Sequence, residues 1–242
     1  KVGTARAVRG AIALAIATAC AVLTACSSGS GGTDVTIGSR QNPDPVTLDF
    51  PVFYVQRPVP DPDDNMVMDD ARELRKFEIG ADLFMRDRAS VSAPPVNITA
   101  SQTGAGLGDI RDLDINFDGT KVVFAMRAKF IEGADEEDQP SWNIWEYDAT
   151  KKELRRIIAS DTVEDEGHDI MPHYLPDGRI VFSSTRQRQS RAILLDENKP
   201  QYAAQDEDDN EPAFVLHVMD ADGTNIHQIS FNQSHDLDPA VL

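Results

Sequence analysis

The chain has 242 residues, 40% of them hydrophobic, with 15 Gly, 14 Pro and a formal net charge of -18. That is enough apolar content to bury one sizeable core or several units of a repeat array. The charge argues against nucleic acid as a partner, because like charge repels the phosphate backbone and no basic stripe offsets it. Cations, basic proteins and neutral ligands remain open, as does the plainer reading of an acidic surface that serves solubility.

Lys1, Arg6 and Arg9 precede an apolar stretch from Ala11 to Val22 that is short for a membrane span. Leu23-Thr24-Ala25-Cys26 follows, then the soft run Ser27-Ser28-Gly29-Ser30-Gly31-Gly32. A positive start, a short apolar core and small residues at the cut describe a secretory signal peptide over residues 1–25. The Leu-Thr-Ala-Cys ending resembles a bacterial lipobox. The resemblance implies that Cys26 becomes the first mature residue and the lipid attachment site, anchoring the protein to a membrane through several acyl chains. Ser27 after it implies the periplasmic side of the outer membrane; an ordinary cleaved signal peptide with Cys26 incidental is the alternative. Residues 26–45 read as a lipidated flexible tether. Cys20 would leave with the signal peptide, so the mature domain is expected to hold no disulfide and no cysteine ligand or nucleophile.

Residues 46–242 read as all-β, with one unit recurring. Asp109 to Gly119 and Asp169 to Gly178 are each a short strand ending in an Asp-Gly turn, followed by Lys121 to Arg127 or Arg179 to Arg186. Asp-Gly suits such a turn because Gly accepts positive φ at low cost. Each unit continues with two more strands, Asn143 to Asp148 and Leu154 to Ile158 in one, Val215 to Asp220 and Asn225 to Ser230 in the other. An earlier copy lacks its first strand and runs through 52–55, 81–85 and 96–99; a later one begins at His235. Four strands per unit is the grammar of a β-propeller blade, against generic antiparallel β structure without radial order. The expectation is an incomplete propeller of about three four-stranded antiparallel blades, in which Lys121–Met126 and Arg179–Ser184 hold matching places. The chain starts at Lys1 and stops in an apolar run, so it is expected to be part of a longer one whose downstream sequence closes the ring.

Pro172-His173-Tyr174-Leu175-Pro176-Asp177-Gly178-Arg179 resembles the turn of TolB propeller repeats, whereas the unit ending in Asp118-Gly119 keeps only the Asp-Gly. The opening DFPVFYVQRPVP, the long insertions and the His168-Asp169 and His235-Asp236 pairs are similar to a narrower group, that of the middle domain of the hydrazine synthase alpha subunit. That resemblance covers roughly Phe50 to Leu242 and implies c-type haem domains elsewhere in such proteins. No Cys-x-x-Cys-His occurs in this chain, so no haem role passes to its residues.

The His-Asp pairs read either as ligands at the propeller axis or as structural anchors, each Asp hydrogen-bonded to turn amides with its His partly exposed, and recurrence favours anchors. The acidic runs Asp61 to Asp64, Asp135 to Asp138 and Asp206 to Asp209 would lie on one face of the disc. They read as solvated loops, with calcium or a basic partner as the functional alternative. Arg127 and Arg186 end equivalent strands and are expected to pair with nearby carboxylates, a ligand on one face being the alternative. Of Trp142 and Trp145, one should pack between blades and the other lie at an edge. Gly104, Gly106 and Gly108 precede a strand, which removes a dinucleotide loop. No catalytic, cofactor or metal-ligating residue is identified. Two functions follow: a lipid-anchored binding or scaffolding module with a protein partner on the propeller face, or the non-catalytic front of a multidomain redox enzyme.

Overall fold

Strands fall into three antiparallel sheets, each a meander in chain order. The computed structural model describes residues 49–59, 73–90, 92–198, 204–205 and 211–241, all within one compact unit, Val46–Leu242. The signal peptide, the tether and Cys26 lie outside the described residues. The first sheet holds β1 (Val52–Gln56), β2 (Asp82–Arg86) and β3 (Val96–Asn97). The second holds β4 (Asp109–Ile115), β5 (Lys121–Arg127), β6 (Asn143–Asp148) and β7 (Glu153–Arg156). The third holds β8 (Asp169–Tyr174), β9 (Ile180–Ser184), β10 (Val215–Met219) and β11 (His227–Gln228). Helices are short: α1 (Ala100–Thr103), α2 (Asp161–Glu164) and α3 (Arg188–Asp196). The protein is thus all-β, built of propeller-like blades that do not close. β5 and β9 are both the second strand of their sheet, the matching places expected for them.

The apolar run of β5 has its reason in this stacking. Val122, Phe124 and Met126 pack in one cluster with Ala81, Leu83 and Ile110, against the first blade. Val123, between them, packs in another with Tyr174, Ile180, Phe182 and Met219 of the third. A sheet covered on both faces needs apolar side chains at successive positions rather than alternate ones. Each such fully buried side chain contributes about 1.5–3 kcal/mol.

The Asp-Gly turns recur with one geometry. The Gly119, Gly178 and Gly223 N–H groups donate to the carbonyls of Asn116, Leu175 and Asp220, each at 2.9 Å. The three glycines have φ of 73°, 87° and 83°. Asp118, Asp177 and Asp222 accept the N–H two residues on, at 3.0, 3.1 and 3.0 Å. The Asp therefore closes its own turn, and Gly takes the left-handed position that ends it.

The inner strands carry a second repeat. β4 and β8 each break register, between Arg111 and Asp114 and between Ile170 and His173. Asp112 and Met171 sit in these bulges at φ 58° and 55°, and Asp238 follows at 49°. The Met171 N–H donates to Asp112 Oδ2 at 3.1 Å, and the Asp238 N–H to Met171 Sδ at 3.1 Å. The second bulge is thereby tied to the first, and the segment around Asp238 to the second. Nearby the Tyr174 N–H donates to Asp114 Oδ2 at 2.8 Å, a further bond between neighbouring inner strands.

Candidate functional site at the loop-bearing face

In a meander the long connections from second to third strand share one face with the start of each inner strand. That face carries the candidate site. His168 lies just before β8. Its Nδ1 accepts the Trp142 N–H at 3.2 Å, while the Asp169 N–H donates to the Trp142 carbonyl at 2.8 Å. His235 and Asp236 repeat the arrangement on Phe214, at 3.0 and 2.8 Å. Each His-Asp pair thus fastens the beginning of one inner strand to the beginning of the preceding blade's third strand. The pairs are anchors, as recurrence favours, but they hold through the imidazole and the Asp backbone N–H rather than through an Asp carboxylate on turn amides; that of Asp169 goes to Arg186. An Nδ1 that accepts a backbone N–H leaves Nε2 as the nitrogen that carries hydrogen. Burial, then the charges of Arg127, Arg75 and Arg111, push His168 down to about 3.

The same two imidazoles also line one cavity of about 670 Å³, together with Phe214, Phe77, Arg75 and Glu137. Its size falls in the range of small-molecule and peptide-side-chain pockets. Segments 73–77, 135–137 and 211–214 form its walls, so each blade's long connection contributes. Arg75 pairs with Glu211 across it.

Arg127 and Arg186 both meet carboxylates, as expected, in different ways. Arg186 is buried and pairs with Asp169, its Nε 3.2 Å from Oδ1 and 3.0 Å from Ser184 Oγ. Burial pushes the Asp169 carboxyl up, and Arg186 opposes that shift. Arg127 is buried too, but organises loops. Its Nη1 donates to the Arg75 carbonyl at 2.8 Å and to Glu136 at 2.9 Å, and its Nε to the Pro140 carbonyl at 2.5 Å. Its guanidinium lies 4.4 Å from the Phe77 ring centre, a cation–π contact. Sequence reading missed a third member, Arg57, just past β1. It pairs with Glu78 at 2.7 Å and Asp109 at 3.2 Å, and donates to the Ile110 carbonyl at 2.9 Å. The apolar strand ending in Arg, shared with 121–127 and 179–186, was the available signal.

Trp142 is fully buried with Ala125, Ile170, Met171 and Phe214, bridging the second and third blades, and Arg111 stacks on it at 4.1 Å. Trp145 is half-buried against the cluster between the first two blades. Of the acidic runs, 135–138 is described: Glu136 is taken by Arg127, and Glu136–Asp138 forms a 3-10 turn. Asp61 to Asp64 and Asp206 to Asp209 lie outside the described residues. Among the described residues no group of three or more His, Cys, Asp or Glu is arranged to hold a metal ion. No described helix is long and apolar enough to cross a membrane.

No family model and no curated protein matches the chain. Among solved structures it is similar to a variant of the AtxE2 isopeptidase with astexin3 bound. The identity is 13% and the TM-score 0.39, over 79% of this chain and 21% of that one. It is also similar to a prolyl endopeptidase, with 12% identity and a TM-score of 0.31, over 59% of this chain and 17% of that one. The chain therefore spans about a fifth of the length of the isopeptidase. The fold assignment rests on strand order and on the two-sided burial of β5.

Proposed function

We propose that the protein is an exported lipoprotein whose propeller acts as a binding or scaffolding module at the periplasmic side of the outer membrane. In this reading residues 1–25 are the signal peptide, Cys26 carries the acyl chains, 26–45 are the tether, and the loop-bearing face is the docking surface. The observation that carries the binding role is the convergence of His168 and His235, from successive repeats, on one cavity walled by all three long connections. The Leu-Thr-Ala-Cys motif and Ser27 support the address. The similarity of Pro172 to Arg179 to TolB repeats supports an envelope setting. The similarity of the opening strand and the His-Asp pairs to the hydrazine synthase alpha middle domain favours a second reading. There the module is the non-catalytic front of a multidomain redox enzyme, and its part is again to bind.

The test has two arms. Cells expressing the chain are fed labelled palmitate: label is expected on the parent and lost in Cys26→Ala, and an unlabelled parent ends the lipoprotein reading. A photoreactive residue is then placed at Glu137, on the loop face, or at Lys151, in a turn on the opposite face. Adducts in the envelope are expected from position 137 and not from 151. Equal yields, or none at 137, end the docking reading.

A further inference from the structure

Beside the cavity that holds the two imidazoles lies a second one, of about 690 Å³, on the same face. The two share Glu136, Glu137 and His168 as a common wall. The far side comes from the second blade and the connection after it: Asn143, Trp145, Arg156, Glu164 and Asp165. Arg156 of β7 stands opposite Trp145 of β6 in register, so both lie on one side of the sheet.

The charge of this cavity is one-sided. Glu136, Glu137, Asp138, Glu164 and Asp165 bring five carboxylates against one guanidinium, that of Arg156. His168 adds no positive charge at neutral pH, because burial holds it down to about 3. Two of the carboxylates are already engaged. Arg127 donates to Glu136 at 2.9 Å. Arg156 donates to Glu164 at 3.1 Å and to Asp161, a guanidinium held between two carboxylates at the cavity wall. Among the described residues, no hydrogen bond or ion pair reaches the carboxylates of Glu137, Asp138 or Asp165. All three are exposed.

Carboxylates alone would not make a site, but Asn143 adds an acceptor that lacks a donor. It is 5% exposed, and its Oδ1 is buried with no hydrogen-bond partner. Its Nδ2 donates to the Ser141 carbonyl at 3.3 Å and to Glu164. Both are acceptors only, so the amide cannot turn over to relieve the oxygen. A buried acceptor left without a donor is costly. A bare metal ion does not match this lining: no three of the carboxylates and imidazoles are arranged to hold one. A guanidinium does match. It carries several N–H donors in a plane, pairs with carboxylates two bonds at a time and stacks on indole.

We propose, building on the docking role of this face and depending on it, that the second cavity receives an arginine side chain from a basic segment of a partner protein. Glu137, Asp138 and Asp165 pair with the guanidinium, Asn143 Oδ1 accepts one of its N–H groups, and Trp145 forms the aromatic wall. The net charge of -18 draws such a segment toward the chain.

The experiment titrates the fluorescein-labelled peptide Gly-Arg-Gly-Arg-Gly with the full chain carrying Cys26→Ser, so that no acyl chain contributes, and reads anisotropy. Binding is expected. The same peptide with citrulline for arginine, alike in shape and uncharged, should bind at least about tenfold more weakly. Glu137→Gln, Asp138→Asn and Asp165→Asn together should weaken binding of the arginine peptide about tenfold. Asp87→Asn, Glu153→Gln and Asp196→Asn remove the same charge from exposed positions outside the cavity. They should change affinity less than about twofold, because salt screens distant charges. An arginine peptide that does not bind, equal affinity for the citrulline peptide, or equal losses in the two triple variants overturns the proposal. The peptide comparison uses the parent surface, so it decides even where a variant does not fold. Envelope adducts at position 137 with no binding of the arginine peptide would remove the arginine and leave the docking face; absence of both would remove the face as well.

Discussion

The pair that joins Arg186 to Asp169 and the pair that joins Arg57 to Asp109 come from the same place in the repeat and have different settings. The first lies within one blade, with side chains 2% and 0% exposed. The second bridges two blades, and Arg57 is 42% exposed. Asp109 also accepts the Glu78 N–H at 2.9 Å, so it keeps a partner without the arginine. Repetition of residues therefore does not imply repetition of energy. What decides is how far each charge has left water, because an isolated buried charge costs far more than an exposed pair returns.

Breaking the two pairs measures the contrast. Arg186→Met leaves Asp169 buried and unpaired, and should cost about 3–5 kcal/mol in urea denaturation. Arg57→Met should cost about 1 kcal/mol or less. Equal losses would mean that depth is not the variable. A second contrast lies in the turns. At Gly223 a Cβ would meet the Ile157 carbonyl oxygen of the neighbouring blade at 2.3 Å, whereas at Gly178 it would meet nothing within 4 Å. Both have positive φ. Gly178→Ala should therefore cost only the left-handed penalty, about 1–2 kcal/mol. Gly223→Ala should cost about 3 kcal/mol, with lost blade contact added.

Acid gives an effect of defined sign. His168 is held down to about 3 and His217 to about 4, both mainly by burial, from an ordinary value of 6.5. Below 6.5 the unfolded chain takes up protons that the folded one refuses, so their contribution is complete above 6.5 and falls as pH drops toward 4 and 3. At pH 5 each should account for about 2 kcal/mol. Urea midpoints from pH 7 to 5 should fall, and His168→Gln should flatten the slope. A slope unchanged by that substitution would place the acid sensitivity elsewhere.

The blades were legible in the sequence because their signals are local: Asp-Gly turns, and apolar runs such as Val122–Met126 that betray two covered faces. Less legible were features without local marks. Asp112, Met171 and Asp238 occupy left-handed backbone without being glycine, so composition did not announce the bulges. The strands expected at 96–99 and 225–230 are reduced to two residues each, Val96–Asn97 and His227–Gln228. In the first, Asn97 Oδ1 accepts the Thr99 and Ala100 N–H groups and turns the chain into α1. The cavity joins residues as far apart as Arg75 and His235, and only the stacking of blades brings them together.

The bulge-to-bulge bonds have a kinetic meaning. Each inner strand finds its acceptors on the repeat already made: Met171 on Asp112, then Asp238 on Met171. The interactions run in one direction along the chain and span neighbours only. A polypeptide emerging amino end first can therefore be templated repeat by repeat, each new sheet seated by its predecessor before the next arrives.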